Sequence, residues 1–151
     1  MKEDNDGAEP AASSVAALNL WRLAQMRGDD GDRVRAEQTI AAFSATLARV
    51  PSAMPQMLVA LAHSLDKPRQ IVIAGERGSI GMQELLGEVR RHFLPNKVIL
   101  LADGDAFLPE KLPALREMRP IGGKPTAYVC KNFTCHAPVN DPAELGRLLS
   151  A

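Results

Sequence analysis

An α+β fold is predicted, helices first and a small α/β layer after them, on three observations. Apolar residues recur at helical spacing from Val15 to Leu65. At Lys67-Pro68 that periodicity stops, and two short β-branched runs follow, Gln70-Ile-Val-Ile-Ala74 and Lys97-Val-Ile-Leu-Leu101. A helical pattern from Met82 to Phe93 separates the two runs, which is the spacing of a right-handed βαβ unit. The change of period divides the chain into residues 1–67 and 68–151, the second carrying a short, mainly parallel sheet.

Residues 1–12 are polar and acidic and read as a loop. Ser13 or Ser14 can cap a helix starting at Val15. Val15, Ala16, Ala17, Leu18, Leu20, Trp21, Leu23 and Ala24 make that helix apolar nearly all round, with a narrow polar strip of Asn19, Arg22 and Gln25. Such a helix wants burial on most sides. Gly28-Asp-Asp-Gly31 breaks it. A second helix, Asp32 to Arg49, sets Val34, Ile40, Phe43 and Leu47 toward a core and Arg33, Arg35, Glu37 and Gln38 toward water. A third places Met54, Met57, Leu58, Leu61, Ala62 and Leu65 at helical spacing, with Pro55 in its first turn. An inner helix followed by an outer one is the repeat unit of an α/α toroid. Too few hairpins are present to close a ring, so residues 1–67 read as the terminal hairpins of an incomplete toroid.

Beyond Pro68, the helix from Met82 to Phe93 turns Leu85, Leu86, Val89 and Phe93 inward, and Pro95-Asn96 stops it. Pro109 and Pro113 bracket a short helical turn at Leu112 to Met118. Ile121-Gly-Gly-Lys-Pro125 is a loop. Thr126 to Cys130 is a third strand and Thr134 to Ala137 a fourth. Asp141-Pro142-Ala-Glu144 starts the last helix, with Asp as cap and Pro at the first position.

Composition narrows the function classes. The 151 residues are 46% hydrophobic, enough for a core. Lys plus Arg and Asp plus Glu are 18 each, so no global field draws nucleic acid or an acidic membrane. Aromatics at 4% leave little for base stacking. No apolar run approaches the roughly 18 residues of a membrane span. The acidic start carries no apolar signal segment, which reads as cytoplasmic. Two cysteines without a signal segment suggest a reducing compartment and free thiols, with a redox or disulfide role for Cys130 and Cys135 as the alternative.

Several clusters invite chemistry. Glu3, Asp4, Asp6 and Glu9 crowd one loop and repel each other unless solvated or facing a cation or a hydroxyl-rich ligand. Cys130 and Cys135 form C-x4-C, which is not a thioredoxin C-x-x-C, and only His136 lies near as a further zinc ligand. No metal and no cofactor is expected. Gly75-Glu-Arg-Gly78-Ser-Ile-Gly81 joins a strand to a helix where phosphate loops occur, but lacks the Lys-Ser/Thr ending and carries Glu76. A plain βα connection is the better reading. Asp103-Gly104-Asp105 lies at the carboxyl end of a strand and is also an ordinary turn signal. His63 and His92 read as surface residues, and Met54, Met57 and Met82 as core.

Five stretches carry a resemblance: Asp6 to Pro10, Ser14-Val-Ala-Ala-Leu-Asn19-Leu, Pro51-Ser-Ala-Met-Pro-Gln-Met57, Ile71 to Glu76 and Tyr128 to Pro142. Together they resemble the C-terminal part of the thioredoxin-domain-containing family related to spermatogenesis-associated protein 20. The family's pattern after Glu9-Pro10 has an Asn where this chain has Ser13. The resemblance implies a thioredoxin-like domain joined to an α/α toroid in full-length members. It also implies that Asp6 and Glu9 sit at the mouth of a toroid cavity as catalytic carboxylates, in the manner of sugar epimerases and glycosidases. The chain would then be a C-terminal portion that is not catalytic alone. Its partner would be the missing part of the toroid, or a second copy met through the first helix. A stand-alone interaction or structural module without enzymatic activity is the alternative.

Overall fold

A computed structural model describes residues 5–66, 68–105, 107–131 and 134–150. The chain divides into two compact units, Met1–Lys67 and Pro68–Ala151.

The first unit is helical: α1 (Ala12–Arg27), α2 (Asp30–Ala42), α3 (Ser44–Arg49) and α4 (Pro55–Leu65), with a 3-10 turn at Pro51–Ala53. The helix α1 starts three residues ahead of the expected Val15, and neither Ser13 nor Ser14 caps it. Gly28, at φ 66, ends it and returns its N–H to the Ala24 carbonyl. Asp29 then caps α2 by accepting from the Gly31 amide at 2.7 Å. The expected single helix from Asp32 to Arg49 is two: the backbone turns at Phe43, whose side chain drops into the core. Ala17, Leu18, Ile40, Phe43, Met54, Met57 and Ala60 form that core, with Trp21 and Leu47 packed on its edge. Val34, expected inside, is exposed. Asp32 is buried, and Arg27 (3.3 Å) and Arg35 (3.2 Å) hold its charge. His63, expected at the surface, is 2% exposed, with its ring against Trp21.

The second unit holds β1 (Arg69–Ala74), α5 (Ile80–Arg91), β2 (Lys97–Ala102), α6 (Phe107–Lys111), β3 (Thr126–Lys131), β4 (Thr134–Cys135) and α7 (Pro142–Ser150). The sheet order is β2-β1-β3-β4. β1 and β2 pair in parallel, as the βαβ spacing predicts. β1 with β3 and β3 with β4 are antiparallel, so the sheet is mixed rather than mainly parallel. The register gives the reason. Ala74 at the end of β1 faces both Ala102, the end of β2, and Thr126, the start of β3. β2 thus ends, and β3 begins, at the same end of the sheet, so β3 runs antiparallel to β1.

Ile71, Ile73, Ala127 and Val129 point to one sheet face, where Met82, Leu85 and Val89 of α5 and Leu145 and Leu149 of α7 cover them. Met54, Met57 and Met82 are all core, as expected. Phe93, expected inward, is 91% exposed because α5 ends at Arg91 and His92 is already extended. Asp141 caps α7 through the Glu144 amide at 2.9 Å, as its sequence predicts. Gly146 of α7 lies against the Glu88 side chain of α5, whose carboxylate a Cβ there would displace.

Candidate functional site

The acidic loop is built around Asp6. Met54, at the N-cap of α4, has no oxygen to offer the first free amides of that helix. Asp6 supplies it from fifty residues away. Its Oδ2 accepts from the amides of Gln56 (2.8 Å) and Met57 (3.3 Å), and its Oδ1 from the amide of Ala11 (2.8 Å), just ahead of α1. The Asp6 amide in turn donates to the Ala53 carbonyl at 2.8 Å. One carboxylate thus ties the starts of two helices together, where helix dipoles favour a negative charge. Burial pushes the Asp6 carboxyl up, but the Ala11 amide, the Ser14 hydroxyl and the Gln56 and Met57 amides outweigh it and hold the group below its ordinary value.

Glu9 lies three residues on, exposed, with its carbonyl accepting from the Gly7 amide at 3.0 Å. The two candidate carboxylates therefore differ in kind. Asp6 is occupied by backbone; Glu9 is open to solvent. Glu3 and Asp4 lie outside the described residues.

The carboxyl end of β1 and β2 is the other place where a ligand was conceivable, and it is filled by the protein itself. Pro125 packs against Gly75 and Gly81, and a Cβ at either glycine would stand 3.1 Å from its ring. Those glycines serve close packing, in keeping with a plain βα connection. Asp103, nearly buried, accepts from Arg77 Nε at 2.6 Å and from the Asp105 amide at 3.3 Å, so Asp103-Gly104-Asp105 is a turn pinned by an ion pair. The Arg77 hydrogen bond holds the Asp103 carboxyl below its ordinary range. Sequence reasoning missed a latch beside it. Asn140 Nδ2 donates to the Pro125 carbonyl and to Thr126 Oγ1, both at 2.8 Å, while the buried Thr126 hydroxyl accepts from the Ile121 amide. A lone Asn followed by Asp-Pro gives no sequence signal for that role beyond a turn.

Cys130 and Cys135 face one another across β3 and β4 and are joined in a disulfide, so the expected free thiols are corrected. The reason is register. The His136 amide bonds the Val129 carbonyl at 2.9 Å, which makes Cys130 and Cys135 a directly opposed, non-hydrogen-bonded pair whose side chains lie close. Spacing alone does not reveal that a tight hairpin brings them together. Among the described residues no group of three or more His, Cys, Asp or Glu side chains could hold a metal, and no helix is long and apolar enough to cross a membrane. His92 is half-buried rather than on the surface, with its Nε2 3.0 Å from the Glu88 carboxylate.

Along 99% of its length the chain is similar to three curated relatives: spermatogenesis-associated protein 20 of Homo sapiens, 42% identical, and those of Rattus norvegicus and Mus musculus, each 40% identical. It spans 19% of the length of each. No family model matches the chain. No solved structure matches it either.

Proposed function

The chain belongs, at the level of a segment, to the spermatogenesis-associated protein 20 family, and from that premise we propose that it is the C-terminal portion of a larger toroidal protein that works by docking against the rest of it. The observation that carries this reading is the bare face of α4. Pro55, Val59, Ala62 and Leu65 are exposed within one broad face of that helix, Leu65 by 78%. An amphipathic helix normally turns its polar side to water, and a contiguous apolar patch marks a contact surface. The relatives supply the remaining chain that would cover it, since the segment is only 19% of their length. In this reading Asp6 positions the entry loop and Glu9 is the carboxylate offered to a cavity. Epimerase- or glycosidase-like chemistry then belongs to the whole protein, and the segment alone is not catalytic. The test is a pair of Asp substitutions at the positions of the human relative that match Val59 and Leu65. They should destabilise the full-length protein while V59D and L65D leave the 151-residue chain unchanged. Equal effects in both sink the docking reading.

A second reading, a stand-alone module, draws support from α1. Leu18 is buried and Trp21 lies against His63, although Val15 and Leu23 remain exposed. Trp21 fluorescence separates the two. Blue-shifted, quencher-protected emission from a dilute monomer favours the module. Association on concentration, relieved by L23D, favours the second copy met through α1.

A further inference from the structure

We propose that the Cys130–Cys135 pair is a thiol–disulfide exchange site, with Cys135 as the sulfur attacked by a small monothiol of the glutathione class. The disulfide joins two residues of opposite exposure. Cys130 is 4% exposed on β3, a strand paired on both sides, whereas Cys135 is exposed on β4, a two-residue strand at the sheet edge. A nucleophile from solvent meets Cys135 first.

The exchange is balanced as follows. The incoming thiolate forms a bond to Cys135 Sγ, the Cys130–Cys135 bond breaks, and its electron pair leaves on the Cys130 sulfur. A proton from water returns that sulfur to the thiol, the form burial favours. A second thiolate then attacks the glutathione sulfur of the mixed disulfide and releases the Cys135 thiolate, which takes a proton. Two monothiols have been oxidised to one disulfide, and the protein disulfide has been reduced to two thiols.

The hairpin is built to survive this. Lys131 pairs with Thr134 on one side of the cysteines, and the His136 amide bonds Val129 on the other. The two sulfurs therefore stay opposed after reduction and can close again. Among the described residues the buried core of this unit is made by β1, β3, α5, α7 and Val139, without β4.

The experiment equilibrates the intact chain in glutathione buffers of graded ratio, quenches with acid, alkylates free thiols and reads the products by mass spectrometry. Cleavage after Lys131 puts the two cysteines on separate peptides. Reversible reduction of the folded protein is expected, with glutathione carried on the Cys135 peptide and Cys130 recovered as free thiol. C130S should take up glutathione at Cys135 about tenfold faster than C135S does at buried Cys130. Glutathione on Cys130, equal rates in the two variants, or a disulfide that is reduced only when the chain unfolds would each overturn the proposal. If either variant fails to fold, the wild-type measurement still decides.

Discussion

The two units bury their apolar residues in different ways. In Pro68–Ala151 a sheet face is covered by two helices, and Ile71, Ile73, Leu85, Val89, Val129 and Leu145 are all essentially inaccessible. In Met1–Lys67 the core leans on small residues, Ala17 and Ala60 beside Met54 and Met57, while Val15, Leu23, Val50, Val59 and Leu65 stay in water. The first arrangement encloses its sheet face, and Ile80 and Phe93 stay outside it as single exposed side chains. The second closes with the help of a single carboxylate and leaves apolar area over. Apolar residues at helical or strand spacing can thus end in an enclosed core or on an exposed face, depending on whether the elements enclose one another.

The largest effect should come from the closed core. Leu85→Ala is expected to cost about 4 kcal/mol, since neither α5 nor the sheet can collapse into the space. Met57→Ala, where open-sided helices can settle, should cost about 2 kcal/mol. Urea titrations of each variant measure the difference, and equal costs would erase the contrast drawn here. Next comes Asp6→Ala, at about 2 kcal/mol for a lost charged cap on two helix starts. Because the folded state holds this carboxyl below its ordinary value of 3.8, its stabilisation is present above that pH and is lost as the pH falls from there through the lowered folded-state value. The gap between wild type and Asp6→Asn should therefore narrow below pH 3.8, as read by Trp21 fluorescence. A constant gap would mean that the charge plays no part. Gly75→Ala should cost about 1 kcal/mol by crowding Pro125, visible as a lower melting temperature. The smallest effect belongs to Glu9→Gln. It should move stability by under about 0.5 kcal/mol, because the side chain is exposed.

Much of this was legible in the residues. The switch at Pro68, the two buried-strand runs, the parallel pairing of the first two strands and the Asp141 cap all follow from local pattern. So did the core placement of the three methionines. What could not be read depends on residues far apart in sequence. The direction of β3 hangs on which end of the sheet the chain occupies after Ala102, and apolar runs carry no direction. The break at Phe43 has no glycine or proline to announce it. His63 is drawn inward by Trp21, forty-two positions earlier. Asp6 looked like one of four repelling carboxylates, and its true surroundings are amides of a helix that begins at Pro55. At the candidate site, sequence placed both carboxylates in one loop but could not tell the engaged one from the open one.

The Asp6 cap also has a place in time. Its link to Gln56 closes a loop of fifty positions, and such closure is won late, after local helices have nucleated. As the chain leaves the ribosome Asp6 emerges fifty positions before Gln56, and until α4 follows it can engage only the nearby Ala11 amide and Ser14 hydroxyl. A contact made after the rate-limiting step governs the rate of escape from the native state, not the rate of arrival. Asp6→Ala should accordingly quicken unfolding in stopped-flow experiments while refolding keeps its pace. The carboxylate is thus a latch on the lifetime of the first unit.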